Sequence, residues 1–289
     1  MKADIMWLGS TDSTNEEAKR IISDIDNLSV LSALEQTAGR GQRGNSWHSA
    51  AGENLLFSIV LKYRKEGMRP NCLPPVRACD QFVISETAAL AVTDFLSGYG
   101  ISAKIKWPND IYIGDKKICG ILVEHSIRGE WLSNSIIGIG LNINQRNFDV
   151  NLPNPTSMAL CTSGSYDIRK CLDEFMTIFT AYLERYLNIT GGYLKLRKMY
   201  LSQLWRKDIE AVFIDYTTLP TGHLEGPMNI CPQNDPDSGI PPHINPQEQS
   251  GKVFPGIIRG LSSTGNLLVE DLSTGLTREF GFKEIGYIL

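Results

Sequence analysis

Three short stretches concentrate the groups that chemistry on an anion requires. The first is Gly39-Arg40-Gly41-Gln42-Arg43-Gly44, entered through Glu35-Gln36-Thr37 and followed by Trp47. Glycine admits positive φ and lets backbone N–H groups approach a ligand, while Arg40 and Arg43 offer planar donor forks that suit phosphate oxygens. The second is Lys106-Trp107-Pro108-Asn109-Asp110, with Lys117 and Gly120 soon after, mixing cations, an amide, a carboxylate and glycine. The third is Ser13-Thr14-Asn15-Glu16, three hydrogen-bonding side chains in a row where a helix should begin, able to donate to and accept from a small polar head group. Each has a plainer reading. The glycine run also fits a surface turn, Asn109-Asp110 a turn after Pro108, Lys117 a solvated strand charge, and Ser13 with Glu16 a capping box.

The surrounding pattern supplies elements to hold these stretches. Residues 5–8 and 30–35 read as short strands, the second feeding the glycine run, with a helix from Ser13 toward Ile22 between them. Residues 54–62 form a buried-strand pattern and 76–96 a long apolar helix ended by Gly98 and Gly100. Residues 101–106 read as a strand, and 111–113 with 118–123 as a hairpin turning at Gly114-Asp115. Residues 131–144 continue the sheet, where Gly138 and Gly140 suit either a bulge or close approach of a ligand to backbone. Apolar residues from Leu172 to Tyr186 recur at helical spacing, and 193–204 reads as a second helix. Seven of the 14 prolines fall between Pro220 and Pro246, which excludes regular structure over 219–248 and marks an insertion. Strands at 209–214, 252–259, 267–271 and 276–280 suggest a small β-barrel that the insertion interrupts.

Length and composition narrow the classes. A chain of 289 residues with 42% hydrophobic content can build one large domain and a small one. A net charge of -4 argues against a generally basic nucleic-acid surface, so an anion site must be local. The start carries no signal-like apolar segment and no run approaches a membrane span, which points to a soluble cytoplasmic protein without a membrane partner. Six cysteines without C-x-x-C pairing and four scattered histidines give neither a disulfide framework nor a zinc site.

Taken together, Ser13-Thr14-Asn15, Glu35 to Gly41 with Trp47, Lys106 to Asp110, Lys117-Ile118-Cys119-Gly120 through Glu124, and Gly138-Ile139-Gly140-Leu141-Asn142 resemble biotin protein ligases in order and spacing. Pro155-Thr156-Ser157 and Phe282-Lys283-Glu284 extend the resemblance over most of the chain except the proline-rich insertion. It implies an α+β fold: a mixed sheet flanked by helices, like the catalytic core of class II aminoacyl-tRNA synthetases, over residues 1–205. An SH3-like β-barrel would follow over 206–289. It implies activation of biotin with MgATP to biotinyl-5′-AMP and transfer to one lysine of a biotin carboxyl carrier domain, such as that of acetyl-CoA carboxylase. Only twelve residues precede Ser13, which favours the monofunctional form without a DNA-binding helix-turn-helix; a homodimer is compatible with the family. Rival readings are a lipoate ligase or octanoyl transferase of the same superfamily, and a noncatalytic biotin-binding regulator.

By the same resemblance, Ser13, Thr14, Asn15 and Gln36 would bind the polar ends of biotin, with backbone near Gly120 and Gly138 assisting. Gly39, Arg40, Gly41, Arg43, Gly44, Trp47, Lys106, Asn109 and Asn142 would serve the nucleotide or adenylate. Arg40 would hold the carboxyl or phosphoryl group, Lys117 would polarise the biotin carbonyl and bridging phosphate, and Asp110 would orient Mg²⁺ or the incoming lysine. Many relatives carry arginine where this chain has Gln42, and Arg43 is expected to compensate.

Overall fold

The computed structural model describes residues 3–41, 45–64, 72–187, 189, 191–217 and 251–288. Gln42, Arg43, Gly44 and the insertion at 219–248 lie outside them, as do the expectations placed there. The chain divides into two compact units, Met1–Lys207 with Ser263–Gly265, and Asp208–Ser262 with Asn266–Leu289.

The first unit is built on a seven-stranded mixed sheet. Strand β1 (Asp4–Thr11) lies parallel to β2 (Ser29–Gln36). Antiparallel neighbours then follow in the order β3 (Leu55–Lys62), β7 (Trp131–Leu141), β6 (Lys116–Arg128), β5 (Asp110–Ile113) and β4 (Lys104–Lys106). Because side chains alternate between faces, the register sorts them. One rank crosses the sheet as Ala33, Leu56, Gly140, Gly120, Asp110 and Lys106, and the next as Leu31, Ser58, Gly138 and Leu122. These share one face. The opposite face carries Phe57, Ile59, Ile137, Ile139 and Ile121, all buried.

That apolar face is covered by α2 (Phe82–Gly98) and α4 (Ile168–Tyr182), where Phe175 meets Phe57 at 5.3 Å and Phe95 at 6.3 Å, edge to face. The other face receives α1 (Thr14–Arg20), whose Ala18 packs among Leu31, Val60 and Ile136. Two shorter helical elements, α3 (Met158–Thr162) and α5 (Gly192–Gln203), complete the unit. No described helix is long and apolar enough to cross a membrane.

Several element boundaries depart from the sequence reading. The helix expected over 76–96 starts only at Phe82, since Leu132 N–H donates to Val76 and Ala78 N–H donates to Glu130, so 76–78 serve as an edge for the sheet. The strand expected over 101–106 is confined to Lys104–Lys106, because Ile101 N–H still closes the end of α2 on Leu96. The helix expected from Leu172 begins at Ile168, where the Asp167 carboxylate accepts the N–H groups of Arg169 and Lys170. The capping box does not form: Ser13 occupies the N-cap of α1 without a side-chain bond, and Glu16 turns outward to Lys19 and Arg40.

The second unit is an antiparallel sheet of β8 (Glu210–Asp215), β9 (Lys252–Leu261), β10 (Leu267–Asp271), β11 (Leu276–Phe280) and β12 (Ile285–Ile288), ordered β11-β10-β9-β8-β12. Phe213, Phe254, Phe280, Ile258 and Val269 form its core. It has the strand content of a small barrel, and among the described residues its two end strands are not paired with one another. Asp215 and Asp271 are buried beside this core and both meet Arg278, whose guanidinium lies over the Phe254 and Phe280 rings.

Candidate functional site

The face that carries Ser58, Gly138, Gly140 and Gly120 is the floor of a cleft. Its walls are Ser13, Thr14, Asn15 and Gln36 on one side, Arg40, Gly41 and Trp47 from the glycine run above, and Asn109, Asp110 and Lys117 on the other side. Three glycines in adjacent ranks make the floor flat, and two groups lie on it. A Cβ at Gly140 would sit 2.4 Å from Trp47 Cε2, and one at Gly138 would sit 2.4 Å from Asn15 Oδ1. Glycine is required here for close approach.

The polar wall is wired through the sheet. Gln36 Oε1 accepts from Thr14 N–H at 2.8 Å and lies 3.1 Å from the Thr14 hydroxyl. Ser58 Oγ is 2.7 Å from Thr14 Oγ1 and 2.6 Å from Asn15 Oδ1, so one buried hydroxyl ties both side chains to β3. Asn15 Nδ2 donates to Glu124 Oε2 at 2.8 Å, which fixes the amide with its oxygen toward Gly138. Asp12 sets the entrance to α1. Its carboxyl is held far below the usual range by Arg20 and by the Ser13 N–H, despite some burial.

The charged wall depends on a bulge. Between β5 and β6 the register slips, pairing Ile111 with Cys119 but Tyr112 with Lys117. Lys117 lies three residues from Gly120 and would face away in a regular strand; the extra residue turns it onto the cleft face. Its ammonium lies 2.7 Å from Asp110 Oδ1 and 5.5 Å from the Trp47 ring centroid. Asn109 is locked to β6 twice, donating its amide to Ile121 O at 2.7 Å and accepting Ile121 N–H on its own carbonyl at 2.9 Å. Among the described residues flanking 42–44, Trp47 N–H donates to Gly39 O and Gly41 N–H to Asn45 O. Trp47 Nε1 is buried without a hydrogen-bond partner. A second cleft of about 260 Å³ shares Gln36 and Trp47 with the first and adds Gly39, His48, Ser49 and Gln145.

Two expected site residues lie elsewhere. The Lys106 ammonium sits over the Tyr112 ring at 4.6 Å and near Trp205 at 5.3 Å; burial pulls its pKa down, and it does not line either cleft. Asn142 is buried, donates to Thr156 O at 2.9 Å and clips Ile118 to Met158 through its backbone, so it braces the sheet end behind Lys117. Ser58, Glu124 and Glu16 went unassigned in the sequence reading. Ser58 had one visible signal, a lone hydroxyl within Leu55-Leu56-Phe57-Ser58-Ile59-Val60; Glu16 was read as a capping-box partner and Glu124 only as the end of a motif, so neither was given a place beside the cleft.

Known proteins resemble the part of the chain that forms this cleft. Residues 7–142 match the Biotin/lipoate A/B protein ligase family. The biotin--[acetyl-CoA-carboxylase] ligase of Paracoccus denitrificans is 36% identical over 139 residues, 47% of this chain and 53% of that protein. The bifunctional ligase/repressor BirA of Bacillus subtilis is 36% identical over 140 residues, 48% of this chain and 39% of that protein. The matches thus span about half of these relatives or less. The solved biotin protein ligase from Aquifex aeolicus in complex with biotin and ATP is 22% identical, with a TM-score of 0.68 covering 98% of this chain and 97% of that one, a likeness of fold. Over residues 7–142 the chain is thus similar to the biotin/lipoate A/B protein ligase family.

Proposed function

We propose that the protein activates biotin with ATP to biotinyl-5′-AMP and passes the biotinyl group to a lysine of a biotin carboxyl carrier domain. The supporting observation is the cleft itself. One flat glycine floor joins a wall of neutral hydrogen-bonding groups, Thr14, Asn15 and Gln36, to a wall with Lys117 and Asp110, with Arg40 above it. The neutral wall suits a ureido ring, and the charged wall suits a carboxylate meeting an α-phosphate. In the first step a biotin carboxylate oxygen forms the bond to the α-phosphorus and pyrophosphate leaves; Lys117 and Arg40 stabilise the charge on the oxygens. In the second, the carrier amine attacks the acyl carbon and AMP leaves, with Asp110 placed to take the amine proton.

Among the described residues Asp110 is the carboxylate lining this cleft, and a single carboxylate suits a Mg²⁺ that arrives on the ATP phosphates. When bound, that ion would neutralise phosphate charge. Residues 1–205 are the catalytic domain in this reading and 206–289 a barrel domain; the surroundings are the cytoplasm. The rival acyl transferase would need a cysteine nucleophile. No described cysteine lines either cleft, and burial pushes the Cys119 thiol far up. Incubation with biotin, MgATP and an apo carrier domain tests the reading: pyrophosphate and biotinylated carrier are expected, while turnover of lipoate instead, or tight biotin binding without pyrophosphate, would overturn it.

A further inference from the structure

The loop cation and the head-group amide are joined by a chain of charges that the reaction above does not use. Arg40 Nη1 donates to Glu16 Oε1 on α1. The same oxygen accepts from Lys19 Nζ at 2.9 Å, and that ammonium meets Glu124 Oε1 at 2.7 Å. The other Glu124 oxygen accepts the Asn15 amide at 2.8 Å. Cation and anion therefore alternate from the glycine run to the cleft floor.

Arg40 needs such a holder. Its side chain is 57% exposed, and its backbone sits between two glycines, so the loop alone does not select a rotamer. An arginine left free carries a large rotamer entropy that an incoming anion must remove. Glu16 is itself anchored: Lys19 holds its carboxyl below the usual range against the opposing effect of burial, with Arg40 adding to the lowering.

We propose that Glu16 is a positioning residue, holding the Arg40 guanidinium at the cleft wall before an anion arrives, with Lys19 and Glu124 holding Glu16 in turn. The inference takes from the ligase reading only the identity of the anion. A contact through Nη1 leaves the remaining N–H groups of Arg40 for phosphate or carboxylate oxygens. The plain alternative is that Glu16 merely favours the first turn of α1 through the helix dipole, which would affect stability and nothing else.

A double-mutant cycle separates the two. Glu16→Gln, Arg40→Gln and the double variant are compared for calorimetric binding of inorganic pyrophosphate, for the KM of ATP in biotin-dependent pyrophosphate release, and for melting temperature. Glu16→Gln is expected to weaken pyrophosphate binding and raise the KM for ATP by about three- to tenfold, with a smaller change in biotin affinity. It should have no further effect once Arg40 is glutamine, and Glu16→Asp should recover part of the loss. Equal effects in both backgrounds, tighter anion binding in Glu16→Gln, or a change confined to melting temperature would overturn the proposal. If the wild type binds pyrophosphate but releases none from biotin and ATP, the ligase reading falls, and the binding cycle still decides the role of Glu16.

Discussion

Lys117 reaches the cleft through a single extra residue, and the proposed reaction would turn on where its ammonium sits. It meets the Asp110 carboxylate at 2.7 Å on the cleft wall, so one preorganised charge faces the cleft. Lys117→Ala should lower kcat by about a hundredfold while leaving the melting temperature nearly unchanged; single-turnover pyrophosphate release at the wild-type rate would contradict this. Gly140 has the opposite character, since its contribution is an absent side chain. A methyl group there would collide with the Trp47 indole and press it off the floor. Gly140→Ala is expected to weaken biotin binding at least about tenfold and to destabilise the fold by about 1–3 kcal/mol, in line with overpacking. Titration of biotin together with thermal melting checks both parts.

Helix α2 is buried along nearly its whole length, and it carries one carboxylate into that environment. Glu86 is 1% exposed and meets Arg197 of α5, whose guanidinium also lies over Phe82. Burial pushes the Glu86 carboxyl up to about 7, outweighing the attraction of Arg197. The folded protein then keeps a proton that the unfolded chain gives up above its ordinary value of 4.5. Stability from this group is therefore full below that value and declines as pH rises toward about 7. Glu86→Gln, which cannot ionise, should flatten this part of the melting-temperature profile between pH 4.5 and 7. An unchanged slope would place the titration elsewhere.

Across the whole molecule, buried carboxylates answer acid in opposite ways, Glu86 in one sense and the Asp215 and Asp271 pair in the other. In the C-terminal unit burial raises Asp215, but Thr217 and Arg278 outweigh it and hold the carboxyl below its usual range. Asp271 is held down by Ser273 against burial, with Arg278 assisting. Both folded values lie below the unfolded one of 3.8, so this stability is present above that value and is lost as pH falls through the folded values. Arg278→Met leaves two buried carboxylates without their cation and should cost about 3 kcal/mol near neutrality. The gap in melting temperature between wild type and variant should narrow as pH falls below the ordinary carboxyl value of 3.8, measured by calorimetry; a constant gap would mean that Arg278 acts through its packing on Phe254 and Phe280 alone. The segment 219–248 is dispensable for activation in our reading, because its proline content offers little to a core. Replacing it with a short Gly/Ser linker should leave pyrophosphate release from biotin and ATP intact.

Local chemistry made much of this protein legible in its sequence. Glycine, proline and apolar period placed most strands and the two long helices that back the sheet, and runs such as Ser13-Thr14-Asn15 and Lys106 to Asp110 carry their donors and charges in the residue types themselves. Register is nonlocal, and the remaining features depend on it. Gly120 and Gly140 form one floor because β6 and β7 pair them; Ser58 joins Thr14 to Asn15 across 44 and 43 residues of sequence separation. Lys117 faces the cleft because of a bulge that no residue type announces, and Lys106, equally cationic and inside a recognisable motif, is drawn instead over Tyr112 and Trp205. A side chain's chemistry is fixed by its own atoms, whereas its direction is fixed by pairing with strands distant in sequence, so the sequence supplies the polar and charged groups and the tertiary structure decides which of them meet.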